Sequence, residues 1–281
     1  MQKLAVVVVT FNSEHCIKAC LDSLRVQGFR DFSLIVVDNG SMDGTVGLVR
    51  ATFPDITVVE NKSNVGACKA RNQGIEATDS EWVLTLDCDV VLEDDFMGRI
   101  SERLDAAALN TGIFQPKILS ADKKRIYSCG IHFSWLKRFF DIGSGQVDRG
   151  QFNVSRHVFG ACAAAGIYRR TMLEAVKDEY GYFDERFFFL VEDVDIALRA
   201  QGKGWKALYM PEARCYHEGA SSGLGKKLRQ YLCWRNRRLL LEKCGMPFAQ
   251  AVLACVLYDV PRGLLLFFSN KHVRDCFLGR G

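Results

Sequence analysis

The eleven cysteines of this 281-residue chain never form a Cys-x-x-Cys pair, which removes the commonest zinc and redox motifs from consideration. Their odd number is no disulfide framework either. With Cys68, Cys162 and Cys255 set inside apolar runs, they read as reduced, buried thiols of a cytosolic protein. A signal-peptide core is missing: Met1-Gln2-Lys3 leads straight into Leu4–Val9, which ends at polar Thr10-Phe11-Asn12. No glycine follows that first apolar run, where a dinucleotide pyrophosphate needs close backbone approach, and no Walker loop occurs anywhere. Internal repeats, low-complexity tracts and uninterrupted apolar stretches of membrane-spanning length are absent as well.

What is present is globular in composition, with 48% hydrophobic and 25% charged residues. The net charge of +4 hides a division. Residues 220–281 hold 11 Lys and Arg against 3 Asp and Glu, which leaves the rest of the chain at −4.

The first ninety residues alternate short apolar runs with helical spacing, the pattern of βαβ units and a mainly parallel sheet. Strands are expected at Leu4–Val9, Leu34–Val37, Ile56–Val59 and Trp82–Leu86, and helices at Ser13–Gln27 and Ala67–Ala77. From Leu104 to about Val158 the pattern is poor and predicts loops and short strands. Later elements are a small-residue strand at Phe159–Tyr168, a helix at Glu192–Gln201, a strand at Lys206–Met210 and a long basic helix at Gly225–Cys244.

In open parallel sheets, ligands bind beyond the carboxyl ends of the strands. Three such ends carry polar residues here: Thr10 and Asn12, Asp38, and the pair Asp87 and Asp89. Asp87-Cys88-Asp89 can present two carboxylates to a divalent cation, though a solvated surface turn has the same composition. Glu192-Asp193-Val194-Asp195 follows the apolar Phe187–Val191. Capping of a helix N-terminus explains acids there, and so does a general base raised toward neutral pKa by its apolar surroundings. His217 follows a strand and precedes Gly219, suiting either a third metal ligand or a structural imidazole.

Together these segments resemble glycosyltransferase family 2, the inverting nucleotide-sugar transferases of GT-A fold. The resemblance runs from Lys3 to Cys244. It rests on Val8–Asn12, Asp38–Thr45, Asn64–Gly74, Asp87–Asp89, Phe159–Ala161, Gly181–Glu185, Glu192–Asp193 and His217 in the family's order. Tyr231, Arg235-Asn236-Arg237 and the Glu192–Asp195 version are most similar to its rhamnosyltransferase-like branch.

The resemblance implies an α/β fold, a mixed and mostly parallel sheet flanked by helices. A catalytic domain would span residues 1–220, with a nucleotide half at about 1–110 and an acceptor half at about 111–220, followed by a basic, apolar helical extension at 221–281. It implies that Asp38 meets the nucleobase, that Thr10, Asn12 and Gly66 line the nucleotide pocket and that Arg71 lies near the pyrophosphate. Asp87 would contact ribose or metal-bound water, Asp89 and His217 would ligate Mg²⁺ or Mn²⁺, and Gly160 and Ala161 would face sugar and acceptor. Asp193 would be the catalytic base, with Glu192 and Asp195 shaping the acceptor site.

The donor expected is dTDP-rhamnose, and the acceptor a glycan or lipid-linked sugar of cell-surface polysaccharide. A UDP-hexose or UDP-N-acetylhexosamine donor, or a scaffold that has lost catalysis, are the competing readings. Nucleic acid is not an expected partner: the basic helix lacks a reading motif, and the acidic strand ends repel phosphate unless a metal intervenes.

Phe248–Phe268 is the one long apolar stretch, interrupted by Asp259, Pro261, Arg262 and Gly263 into pieces too short to span a membrane. With the basic helix before it, two occupants stand open: an anionic cytoplasmic leaflet, placing the enzyme peripherally on the inner membrane, or a second copy in a homodimer.

Overall fold

The computed structural model describes residues 2–219 and 225–278, so the expected domain boundary at 220/221 lies outside the described residues. The chain runs β1 (Leu4–Thr10), α1 (Ile17–Arg25), β2 (Phe32–Asp38), α2 (Thr45–Thr52), β3 (Thr57–Glu60), α3 (Ala67–Glu76), β4 (Trp82–Asp87), β5 (Val90–Leu92) and α4 (Phe96–Asp105). The middle supplies β6 (Thr111–Ser120), β7 (Ile126–Ser128), the hairpin β8 (Ile131–Phe133) and β9 (Phe139–Asp141), then β10 (Arg156–Val158), β11 (Ile167–Arg169) and α5 (Arg170–Val176). After these come α6 (Glu192–Gly202), β12 (Lys206–His217), α7 (Lys226–Lys243), α8 (Phe248–Ala254), a π turn (Cys255–Asp259), α9 (Val260–Ser269) and α10 (Lys271–Phe277).

The main sheet has the order β10-β12-β6-β11-β4-β1-β2-β3, with β5 on β12 and β7 on β6. The neighbouring strands β4, β1, β2 and β3 are all parallel. β11 then enters antiparallel between β4 and β6. Alternate residues of β1 feed two cores: Leu4, Val6 and Val8 pack with α1 and α4, whereas Ala5 and Val7 pack with α3, α5 and α6. An uninterrupted apolar strand is what burial on both faces requires.

Four expectations change. Phe159–Tyr168 is not one strand: Gly160 bridges Ile131, the chain turns through the small residues Cys162–Ala165, and only Ile167–Arg169 joins the sheet. The ladder to β4 is kept only in part there: the Thr85 and Asp87 amides donate to the carbonyls of Gly166 and Ala164, and side chains add to them, Gln115 Oε1 accepting from the Cys162 amide and Thr85 Oγ1 donating to the Ala163 carbonyl. β12 continues past Pro211 to His217, because a bulge between Met210 and Arg214 carries the proline, which has no N–H to give, past the ladder. Phe248–Ser269 is one continuous helical run, the π turn and the Arg237–Asp259 pair absorbing what reads as an interruption. Its Cys255 is exposed rather than buried, on that helix's outer face. All eleven cysteines are free, in accord with the reduced reading.

Candidate functional site

β4 ends at Asp87, and the short β5 immediately beyond it pairs antiparallel with the end of β12, His217 opposite Val90. That register brings Asp87, Asp89 and His217 together. His217 Nε2 lies 3.0 Å from Asp89 Oδ1 and 3.9 Å from Asp87 Oδ2. Asp89 Oδ2 accepts from the Gly219 amide at 3.1 Å, and Tyr127 packs edge-on against the imidazole at 4.3 Å between centroids. Burial opposes a charged His217, but the Asp89 hydrogen bond and the charges of Asp89 and Asp87 raise its pKa above the ordinary value. One ligand atom from each of the three residues lies within 4.8 Å of the others. Two carboxylate oxygens and one imidazole nitrogen form a donor set that fits Mg²⁺ or Mn²⁺.

The second group comes from the start of α6. Phe188, Leu190 and Val191 have φ of 63°, 70° and 76°, a left-handed conformation that costs non-glycine residues of order 1–3 kcal/mol each. Helix α7 holds them there: Asn236 Nδ2 lies 2.6–3.0 Å from the carbonyls of Phe187, Phe189 and Leu190, and Arg235 Nη2 donates to Phe187 at 2.8 Å. The strained turn delivers Glu192 and Asp193 to a cavity of about 320 Å³ that Asp87, Asp89 and His217 also line.

Asp193 accepts from the amides of Val194 at 2.8 Å and Ala163 at 3.4 Å. Desolvation first, then the charges of Glu192 and Asp141, pushes its carboxyl up to about 8 despite those two amides. Glu192 is buried and pairs with Arg71, which reaches Asp87 with its other nitrogen. Asp195 does not line the cavity: it is buried against Arg199 and Lys243, at 2.7 and 3.0 Å.

The residues expected to meet a nucleotide divide. Thr10 lines the cavity, its buried Oγ1 without a hydrogen-bond partner among the described residues. Asp38 sits behind the wall, accepting from the amides of Gly40 and Ser41 and from Ser41 Oγ. Asn12 likewise holds the turn, accepting from the Met42 amide while its own amide donates to Ser41 Oγ. The residues this turn presents to the cavity are Asn39 and its partner Asn64.

Gly66, at φ 91°, starts α3, and a Cβ there would stand 2.6 Å from the Phe188 ring. Gly160 and Ala161 do not line the cavity, for Gly160 packs so closely on Ala197 that a Cβ would lie 2.3 Å from its methyl. Their neighbours Cys162, Ala163 and Ala164 form the wall. Burial and the charges of Asp141 and Asp193 hold the Cys162 thiol protonated, unsuited to nucleophilic attack.

Several lining residues escape the sequence reading: Tyr127, the hairpin residues Phe139, Phe140 and Asp141, and Arg229 and Cys233 of α7. A signal existed for one. Phe139-Phe140-Asp141 repeats in small the apolar-then-acidic pattern of Phe187–Glu192. Desolvation raises the Asp141 carboxyl.

The family model for "Glycosyl transferase family 2" covers residues 5–177. An N-acetylglucosaminyl-diphospho-decaprenol L-rhamnosyltransferase of Mycobacterium tuberculosis is 28% identical over 78% of this chain and 77% of its own. An N-acetylglucosaminyltransferase of Azorhizobium caulinodans is 25% identical over 83% of this chain and 58% of its own. Among solved structures, S. aureus TarS 1–349 superposes with a TM-score of 0.62 at 18% identity, over 99% of this chain and 78% of that one, and shares the GT-A fold. Of the longer TarS chain, this one spans 44%. With more than half of its length matched to the family, and a rhamnosyltransferase among its relatives, the chain belongs to glycosyltransferase family 2.

Proposed function

We propose that the protein transfers a sugar, with inversion at the anomeric carbon, from a nucleotide-sugar donor to a lipid-linked acceptor in cell-surface polysaccharide synthesis. The observation that carries this reading is the convergence of Asp87, Asp89 and His217 with the desolvated Asp193 in one cavity. In this reading residues from 1 to about 110 serve the nucleotide and those from about 111 to 220 the acceptor and catalysis, within a cytoplasmic enzyme.

Thr10, Asn39 and Asn64 bound the nucleotide side, the turn being held by Asn12 and Asp38. Asp87, Asp89 and His217 would hold Mg²⁺ or Mn²⁺, which when bound neutralises the charge developing on the departing diphosphate. A glycoside hydrolase needs a second carboxylic acid to protonate a poor leaving group; an anionic diphosphate removes that need. One base remains necessary. Asp193, with its pKa near neutrality, takes the proton from the acceptor hydroxyl as that oxygen bonds to the anomeric carbon. The bond to the diphosphate oxygen breaks with its electron pair leaving on the phosphate. Attack from the opposite face inverts the configuration. Glu192 and Arg71 position this base, and Asp195 acts one layer further out by anchoring α6.

The M. tuberculosis relative is named for L-rhamnosyl transfer to N-acetylglucosaminyl-diphospho-decaprenol, which favours an activated rhamnose, here taken as dTDP-rhamnose, and a lipid-linked acceptor of that kind. The A. caulinodans relative is named as an N-acetylglucosaminyltransferase, which favours the competing donor, UDP-N-acetylglucosamine. Thermal shifts with both donors and Mn²⁺ separate them, since ligand binding to the native state raises its melting temperature. The account expects stabilisation by dTDP-rhamnose and acceptor-dependent release of dTDP. Stabilisation by UDP-N-acetylglucosamine alone reverses the donor assignment, and no nucleoside diphosphate release with either donor contradicts the activity.

A further inference from the structure

The helical run Phe248–Ser269 turns Ala254, Gly263 and Leu266 inward and leaves its opposite face bare. Phe248, Val256, Leu257, Leu264, Leu265 and Phe268 are 57–85% exposed. Its 22 residues, at a mean hydropathy of 1.8, have the length and composition to cross a bilayer, but its packing argues against crossing. Asp259 is ion-paired with Arg237, and Asn270, just past the helix end, donates to the Lys227 carbonyl at 2.7 Å. The run is therefore tied along α7, which carries Lys226, Lys227, Arg229, Arg235, Arg237, Arg238 and Lys243. To cross, it would have to take those charges through the hydrocarbon, which its apolar side chains do not offset.

Charge identifies the occupant. Residues 225–278 hold ten Lys and Arg against three acids, with Lys226, Lys227, Arg238 and Lys271 exposed. Bare apolar side chains flanked by exposed cations are the composition of a helix lying in the plane of an anionic interface. Trp135, 63% exposed at the tip of the β8–β9 hairpin, extends the surface, its carbonyl accepting from Gln250 Nε2 at 2.6 Å. The base of the same hairpin, at Phe139, Phe140 and Asp141, lines the cavity.

We propose that Phe248–Ser269 docks in the plane of an anionic lipid bilayer, with Trp135 beside it, so that the β8–β9 hairpin joins the bilayer surface to the cavity mouth. The delivery of a lipid-linked acceptor along the hairpin rests on the function proposed above; membrane docking does not.

The test is co-sedimentation of the full chain with phosphatidylcholine vesicles, with and without phosphatidylglycerol, at physiological salt. Binding about tenfold tighter to the anionic vesicles is expected, with release by alkaline carbonate. Leu257→Glu with Leu265→Glu, both at exposed positions, should abolish binding while leaving the melting temperature and the binding of Mn²⁺ unchanged. Retention through carbonate would overturn the in-plane geometry. Absence of vesicle binding, with a sedimentation-velocity dimer that the double substitution dissociates, would assign the face to a second copy instead. An inactive protein that still binds anionic vesicles would count against the function proposed above and leave the docking intact.

Discussion

Arg71 Nη1 and Glu192 Oε1 lie 2.6 Å apart in the wall of the cavity, while Nη2 of the same guanidinium reaches Asp87 Oδ1 at 2.8 Å. One buried cation thus ties the first turn of α6, which bears Asp193, to the strand end that bears the candidate metal ligands. Burial disfavours the charge on Arg71, but Asp87 and Glu192 more than compensate and keep it protonated. Arg71→Met should cost about 3–5 kcal/mol in denaturant unfolding, because it strands Glu192 without its counter-ion. Adding Glu192→Gln should recover part of the loss. A cost under about 1 kcal/mol would mean that the bridge does not organise the site.

The Asp193 carboxyl, pushed up to about 8 by burial and then by Glu192 and Asp141, sets a pH dependence of defined sign. A base works only when ionised, so transfer should rise with pH along a limb displaced well above the ordinary carboxylate range. Asp141→Asn removes one of the negative charges and should move that limb to lower pH. The stability term has the opposite sense: it is fully present below the unfolded carboxyl pKa and is lost as pH rises through about 8. Rate profiles of both proteins decide the matter, and superimposable limbs would contradict the proposed environment of Asp193.

Asp89→Ala deletes a buried member of the oxygen and nitrogen set. Calorimetric titration should then find Mn²⁺ bound about tenfold or more weakly, and donor binding should lose its metal dependence. Transfer by the unsubstituted enzyme should stop when a chelator is added and resume with excess Mn²⁺. Turnover unaffected by the chelator would exclude the metal role.

The parallel half of the fold was legible because apolar strands buried on both faces, separated by amphipathic helices, leave little choice of architecture. Leu4–Val9 and Trp82–Leu86 are such strands. The candidate metal group and Asp193 were legible for a related reason, since strand ends and helix starts are where side chains must converge. Phe159–Tyr168 misled because its small residues have no strand-specific packing and turn where the side chains of Thr85 and Gln115 supplement a partial ladder. Asp38 and Asn12 were read as ligand contacts, whereas their polar atoms largely serve the turn itself. Asp141 and Arg229 could not be placed, because the hairpin and helix that bring them to the cavity meet it only through long-range packing. The clamp of Asn236 on three carbonyls of the strained turn is of the same kind: side-chain hydrogen bonds to a distant loop leave no periodic trace.

The most direct test is a paired measurement on Asp193→Asn: nucleotide-sugar binding by calorimetry, and single-turnover transfer to the acceptor. Loss of the base predicts donor affinity within a few-fold of the unsubstituted enzyme and transfer slowed about 100- to 10,000-fold. Undiminished transfer by the folded variant would contradict the assignment of Asp193.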